Sequence, residues 1–106
     1  MPAYTENYTE EILTAERANL RIRLRLDNGA LLEINEALVV ANGALTTLGY
    51  RYHLQRADNE FVFRYDTLHF PDLPSFPDHK HLRDGVVAAG KPDLLEVLQE
   101  AKVRVS

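Results

Sequence analysis

Between Leu20 and Leu26 every second residue is apolar: Leu20, Ile22, Leu24 and Leu26 alternate with Arg21, Arg23 and Arg25. A period of two sends the two sets to opposite sides of an extended chain, so the run reads as a strand with one buried face. Ala30 to Val40 also reads as strand, and Asp27-Asn28-Gly29 lies between the two. A two-residue Asn-Gly turn would set Leu24 opposite Glu33 and mix the faces. A three-residue loop closed by a left-handed glycine instead pairs Leu26 with Ala30. That places Leu24 opposite Leu32, Ile22 opposite Ile34 and Arg23 opposite Glu33, and it is the arrangement we expect.

Asn42-Gly43 makes the next turn, followed by a strand from Leu45 to Arg56 in which Leu48, Tyr50, Tyr52 and Leu54 share a face. A fourth strand, Glu60 to Asp66, carries Phe61, Phe63 and Tyr65. A tight turn at Asp58-Asn59 would place Leu54 opposite Phe63, Tyr52 opposite Tyr65, His53 opposite Arg64 and Arg51 opposite Asp66. The aromatic face then belongs with the core. The opposite face collects Arg21, Arg23, Arg25, Arg51, His53 and Arg64, diluted by Glu33 and Asp66.

Asn7 with Glu10 three residues on has the form of a capping box, which predicts an N-terminal helix from about Tyr8 to Arg17. Val86 to Ala89 reads as a short strand. Pro92 at a first helical position, with Leu94, Leu95, Val97, Leu98 and Ala101 behind it, predicts a closing amphipathic helix to about Lys102 and a frayed tail from Val103 to Ser106. The expected fold is α+β: a single antiparallel, mostly meander β-sheet of four to five strands with an N-terminal and a C-terminal helix. At 106 residues the chain reads as one domain, 1–106.

Between Tyr65 and Gly85 the prolines at 71, 74 and 77 impose extended or polyproline geometry. Such a ribbon places Phe70, Leu73 and Phe76 along one side as core plugs and delivers His79, Lys80 and His81 at its end. His79 and His81 project to the same side with Lys80 opposite, and the ribbon is expected to hold the two imidazoles and the amine in a shared cleft beside the arginines. One chemistry this suits is general acid–base cleavage of RNA without a metal. Its 2′-hydroxyl is the nucleophile, His79 and His81 serve as acid and base, Lys80 or Arg64 neutralises the phosphoryl oxygens, and the basic face tracks the backbone. Tyr50, Tyr52 or Tyr65 would stack bases if exposed. The other is a metal site, with His69, Asp78 or Asp66 as third ligand. Against both stand a loop whose histidines bond its own backbone, an Asp66 that only stabilises a turn, and a solvated arginine face with cross-strand ion pairs.

A formal net charge of −4 argues against non-specific nucleic-acid binding by the molecule as a whole, yet the strands can still present a basic surface. No cysteine is present, which excludes disulfides and thiolate zinc sites. The N-terminus lacks a basic n-region and an apolar h-region, so a cytoplasmic location without membrane association is expected.

The run FRYDTLHFPDLPSFPDHKHLRDGV, Phe63 to Val86, resembles the TumE family of prokaryotic toxins. The family signature is an aromatic strand ending in Arg-aromatic-Asp, a Pro/His-rich loop, and a Phe-Pro-His-His-Lys-His block. Here these positions are Arg64-Tyr65-Asp66, His69 to Asp72, and Phe76-Pro77-Asp78-His79-Lys80-His81. The strands RLRLDNGALLEINEA and GYRYHLQ are similar as well, so the resemblance spans about Leu20 to Leu98. The chain departs from the pattern at Thr67, at the single loop histidine His69 followed by Phe70, and at Asp78. The resemblance implies a growth-inhibiting toxin neutralised by a cognate antitoxin, with Asp66, His79, Lys80 and His81 retained. It brings no settled activity and no cofactor. A non-catalytic or degenerate toxin docking a partner through the Pro/His-rich loop is the alternative, and a homodimer is an admissible assembly.

Overall fold

In the computed structural model, which describes residues 3–14, 16–67 and 78–105, the strands form one antiparallel sheet in sequence order. The elements are β1 (Ala3–Thr14), β2 (Arg17–Leu26), β3 (Leu31–Ala41), β4 (Ala44–Gln55), β5 (Phe61–Asp66), β6 (His79–Leu82), β7 (Gly85–Ala88) and the helix α1 (Leu94–Val105). Among the described residues, seven strands and one C-terminal helix replace the expected four or five strands between two helices.

The N-terminal correction has a plain cause. A helix over residues 8–17 offered only Ile12 and Leu13 as apolar surface, too little to fasten it to a core. Residues 8–14 instead belong to β1, which pairs with β2 from Ala3↔Leu26 to Thr14↔Arg17 and satisfies a whole row of its backbone groups. Tyr8, Glu10 and Glu11 suit an edge strand that stays exposed.

The register of the central hairpins follows from turn chemistry and from two bulges. Gly29 lies at φ 88°, Leu26 N donates to Ala30 O at 2.8 Å and Gly29 N to Leu26 O at 2.9 Å, so the 27–29 loop has three residues as expected. Leu24↔Leu32, Ile22↔Ile34 and Arg23↔Glu33 are its consequence. Asn42 and Gly43, at φ 52° and 76°, make the two-residue turn before β4. On its own that turn would carry Ile34 opposite Arg51. A bulge at Leu48, between the pairs Ala37↔Gly49 and Leu38↔Thr47, moves the register by one, so that Ile34 meets Tyr52.

The β4–β5 turn differs from expectation while its register does not. Asn59 is left-handed at φ 71°, and Arg56 N donates to Glu60 O at 2.8 Å, giving a three-residue loop, 57–59, rather than a tight Asp58-Asn59 turn. A second bulge at Val62 takes up the added residue. Leu54 then meets Phe63, Tyr52 meets Tyr65, His53 meets Arg64 and Arg51 meets Asp66, as the alternation requires.

One face of the sheet holds the core. Leu26, Leu32, Ile34, Tyr50, Tyr52, Leu54, Phe63 and Tyr65 are buried there beneath Val97 and Ala101 of α1. The helix begins two residues later than predicted, because Asp93 rather than Pro92 marks its start: Glu96 N donates to Asp93 Oδ1 at 2.8 Å and Asp93 N to Glu96 Oε1 at 3.3 Å. It runs to Val105, so residues 103–105 of the predicted frayed tail are helical, and Ser106 lies outside the described residues. Toward β1 and the β3–β4 turn, Tyr8, Ile12, Val40, Leu45 and Leu48 remain exposed.

Candidate functional site

Paired residues of an antiparallel sheet share a face, so the register lines up side chains from five strands in two adjacent rows. One row runs Arg23, Glu33, His53, Arg64, His81, and the next Arg21, Asn35, Arg51, Asp66, His79. Both lie on the side away from α1. Their β2 and β4 ends border grooves of about 450 and 210 Å³ that share Arg21, Asn35 and Arg51.

At the β5–β6 end three groups converge. The His79 Nε2 atom is in contact with Asp66 Oδ1 and lies 3.1 Å from His81 Nε2, which is itself 3.4 Å from Asp66 Oδ1. His79 and Asp66 are 1% and 3% exposed, whereas the His81 side chain keeps 22% of its surface. The convergence is a product of strand pairing: Asp66 is the cross-strand partner of His79, and His81 is two residues on along the same face.

The arginines divide by what holds them. Arg21 Nε donates to Asn35 Oδ1 at 2.9 Å, and Arg25 Nη1 donates to Gly29 O at 3.0 Å, which commits Arg25 to the hairpin loop. Arg64 Nε donates to His53 Nδ1 at 3.3 Å while His53 Nε2 lies 3.1 Å from Gln55 Oε1. An accepting Nδ1 leaves the proton on Nε2, so His53 is neutral in this arrangement. Burial, with the neighbouring Arg64 and Arg51, holds its pKa below the ordinary histidine value, outweighing the Gln55 bond and the Glu33 charge. Arg51 is exposed beside Asp66.

Lys80 is not in this cluster. Its backbone pairs with Tyr65, so its side chain faces α1, where Nζ donates to Glu100 Oε2 at 2.5 Å and lies 4.8 Å from the Tyr65 ring centroid. The expectation of two imidazoles and an amine in one cleft is therefore corrected, because period-two alternation separates adjacent residues across the sheet. The tyrosines suggested for base stacking are likewise on the core side. Tyr50 donates to Asp78 Oδ1 at 2.8 Å, Tyr52 to Glu36, and Tyr65 to Glu100 Oε1 at 2.5 Å. Burial, together with these carboxylates, raises all three phenols above the usual tyrosine value. Asp78, bound to Tyr50, also faces away from the histidines. His69, the prolines at 71, 74 and 77, and the apolar stripe Phe70, Leu73 and Phe76 lie outside the described residues.

Sequence reasoning missed Glu100, although it follows Val97 by three residues on the inner side of the helix, a spacing that points it at the sheet. Burial raises its pKa, but the bonds from Lys80 and Tyr65 and the charges of Lys80 and Arg104 outweigh that and hold it below the ordinary glutamate value.

Among the described residues no helix is long and apolar enough to cross a membrane. A model of the family described as Toxin TumE matches residues 3–105. No curated protein and no solved structure matches the chain.

Proposed function

The chain belongs to the TumE toxin family, and from that premise we propose that this toxin of a toxin–antitoxin system arrests growth by cleaving RNA on the arginine-bearing face of its sheet. The observation that carries the reading is the continuity of the Asp66, His79 and His81 cluster with Arg64 and Arg51, which are its cross-strand neighbours. RNA supplies its own nucleophile, so the protein needs only a proton acceptor, a proton donor and cations against the phosphate.

His81, the more accessible ring, takes the proton of the 2′-hydroxyl as that oxygen attacks phosphorus. Asp66 and buried His79 hold and polarise it. The two ring nitrogens are 3.1 Å apart, too close to stand on opposite sides of a phosphate, so they work as one proton-sharing unit. That unit returns the proton to the departing 5′-oxygen, leaving a 2′,3′-cyclic phosphate and a 5′-hydroxyl. Arg64 and Arg51, rather than Lys80, oppose the phosphoryl charge, and Arg21 and Arg23 continue the backbone track.

The test uses purified protein freed of its antitoxin. Wild-type protein should cut cellular RNA to cyclic-phosphate ends, and His81→Ala should slow cutting by about 100-fold or more. Growth arrest accompanied by intact RNA rejects the reading.

A further inference from the structure

Asp66, His79 and His81 present one ligand atom each, all within 4.8 Å of one another. His79 Nε2 lies 3.1 Å from His81 Nε2, which lies 3.4 Å from Asp66 Oδ1, so the three atoms are close enough to face one small cation together. A cation at the centre of the three atoms meets three lone pairs at once.

We propose that Asp66 Oδ1, His79 Nε2 and His81 Nε2 form a binding site for a divalent first-row transition metal, with Zn2+ as the representative ion. Tetrahedral zinc has bonds of about 2.0–2.1 Å to nitrogen and oxygen, which sets neighbouring donors roughly 3.3 Å apart. The His79–His81 and His81–Asp66 separations of 3.1 and 3.4 Å already match that edge length. The remaining His79–Asp66 contact opens by a side-chain adjustment when a cation enters between them. Two imidazoles with one carboxylate favour Zn2+ over Mg2+ or Ca2+, which take oxygen ligands. Paired strands supply all three donors, so little ordering is needed on binding, and the accessible edge of His81 is the route in. The site is independent of RNA, although it uses the Nε2 lone pair of His81 that the proposed proton transfer needs.

The experiment is calorimetric titration of the EDTA-treated, dialysed full chain with Zn2+ alone, with Mg2+ as the comparison ion. Stoichiometric Zn2+ binding is expected, at least about tenfold weaker in His81→Ala and in Asp66→Asn. Co2+ should give the visible bands of a tetrahedral site in the wild type only. His79 is buried and its replacement can unfold the chain, so the partly exposed His81 carries the test, with circular dichroism of each variant as the folding control. Absence of stoichiometric Zn2+ binding by the wild type overturns the proposal, as does equal binding by folded His81→Ala. An RNA assay on the same samples separates the two readings. Zn2+ bound with no cutting in either EDTA or Zn2+ leaves the metal site standing and removes the ribonuclease, whereas cutting without Zn2+ binding does the reverse.

Discussion

His79 and Lys80 are neighbours in the chain with opposite surroundings, and that opposition decides what each can do. Lys80 is spent on Glu100 and the Tyr65 ring, a partly buried group that ties β6 to α1. Lys80→Met should cost about 1.5–3 kcal/mol, the worth of a hydrogen bond to a charged partner, measured as a shift in the urea midpoint. Glu100 is depressed in the folded state, so its contribution is fully present above the ordinary glutamate pKa and is lost as pH falls through the lower folded value. Urea midpoints should therefore fall on acidification below about pH 4.5, and less steeply in Glu100→Gln. His53 works in the other direction. Its proton is disfavoured by burial and by the arginines, so its NMR titration should centre below the usual histidine midpoint. The sequence made the sidedness of His79, Lys80 and His81 readable. It left Asp66 as one of three candidate neighbours of the histidines, with His69 and Asp78, since the choice depends on a strand pairing across a long connection.

At the scale of single elements, the most legible features were the hairpins whose turns and apolar alternation agree. Leu24↔Leu32 and Leu54↔Phe63 were fixed by the need to keep leucines and aromatics on one side. Bulges at Leu48 and Val62 leave no local signal, because any residue can occupy them and only the summed register reveals them. The N-terminal segment misled through a capping box with no apolar face behind it, while the box that does start a helix, Asp93 with Glu96, sits one residue past Pro92. Asp93→Ala should lower stability by about 1 kcal/mol, read from chemical denaturation. Gly29→Ala should cost at least about 1–2 kcal/mol by the same measurement, since its φ of 88° is left-handed and a methyl group would come 2.9 Å from Ala57 Cβ.

For the molecule as a whole, the sheet is two-sided in polarity. One face is sealed in part by α1, and the other carries the arginines, diluted by Glu33 and Asp66, together with the grooves and the histidine cluster. If that face tracks RNA, Arg51→Ala should weaken single-stranded RNA binding and lower the slope of log affinity against log salt by about 0.7. Arg51 is exposed, so the variant should keep the wild-type melting temperature. The Val62 bulge bears on how such a chain tolerates change in length. It offsets the third residue of the 57–59 corner, so a chain lacking one corner residue can straighten β5 there and keep every downstream partner in place. The corner acts as a slip joint, so the loss of one residue there need not put Arg64, Asp66 and the strand beyond them out of step.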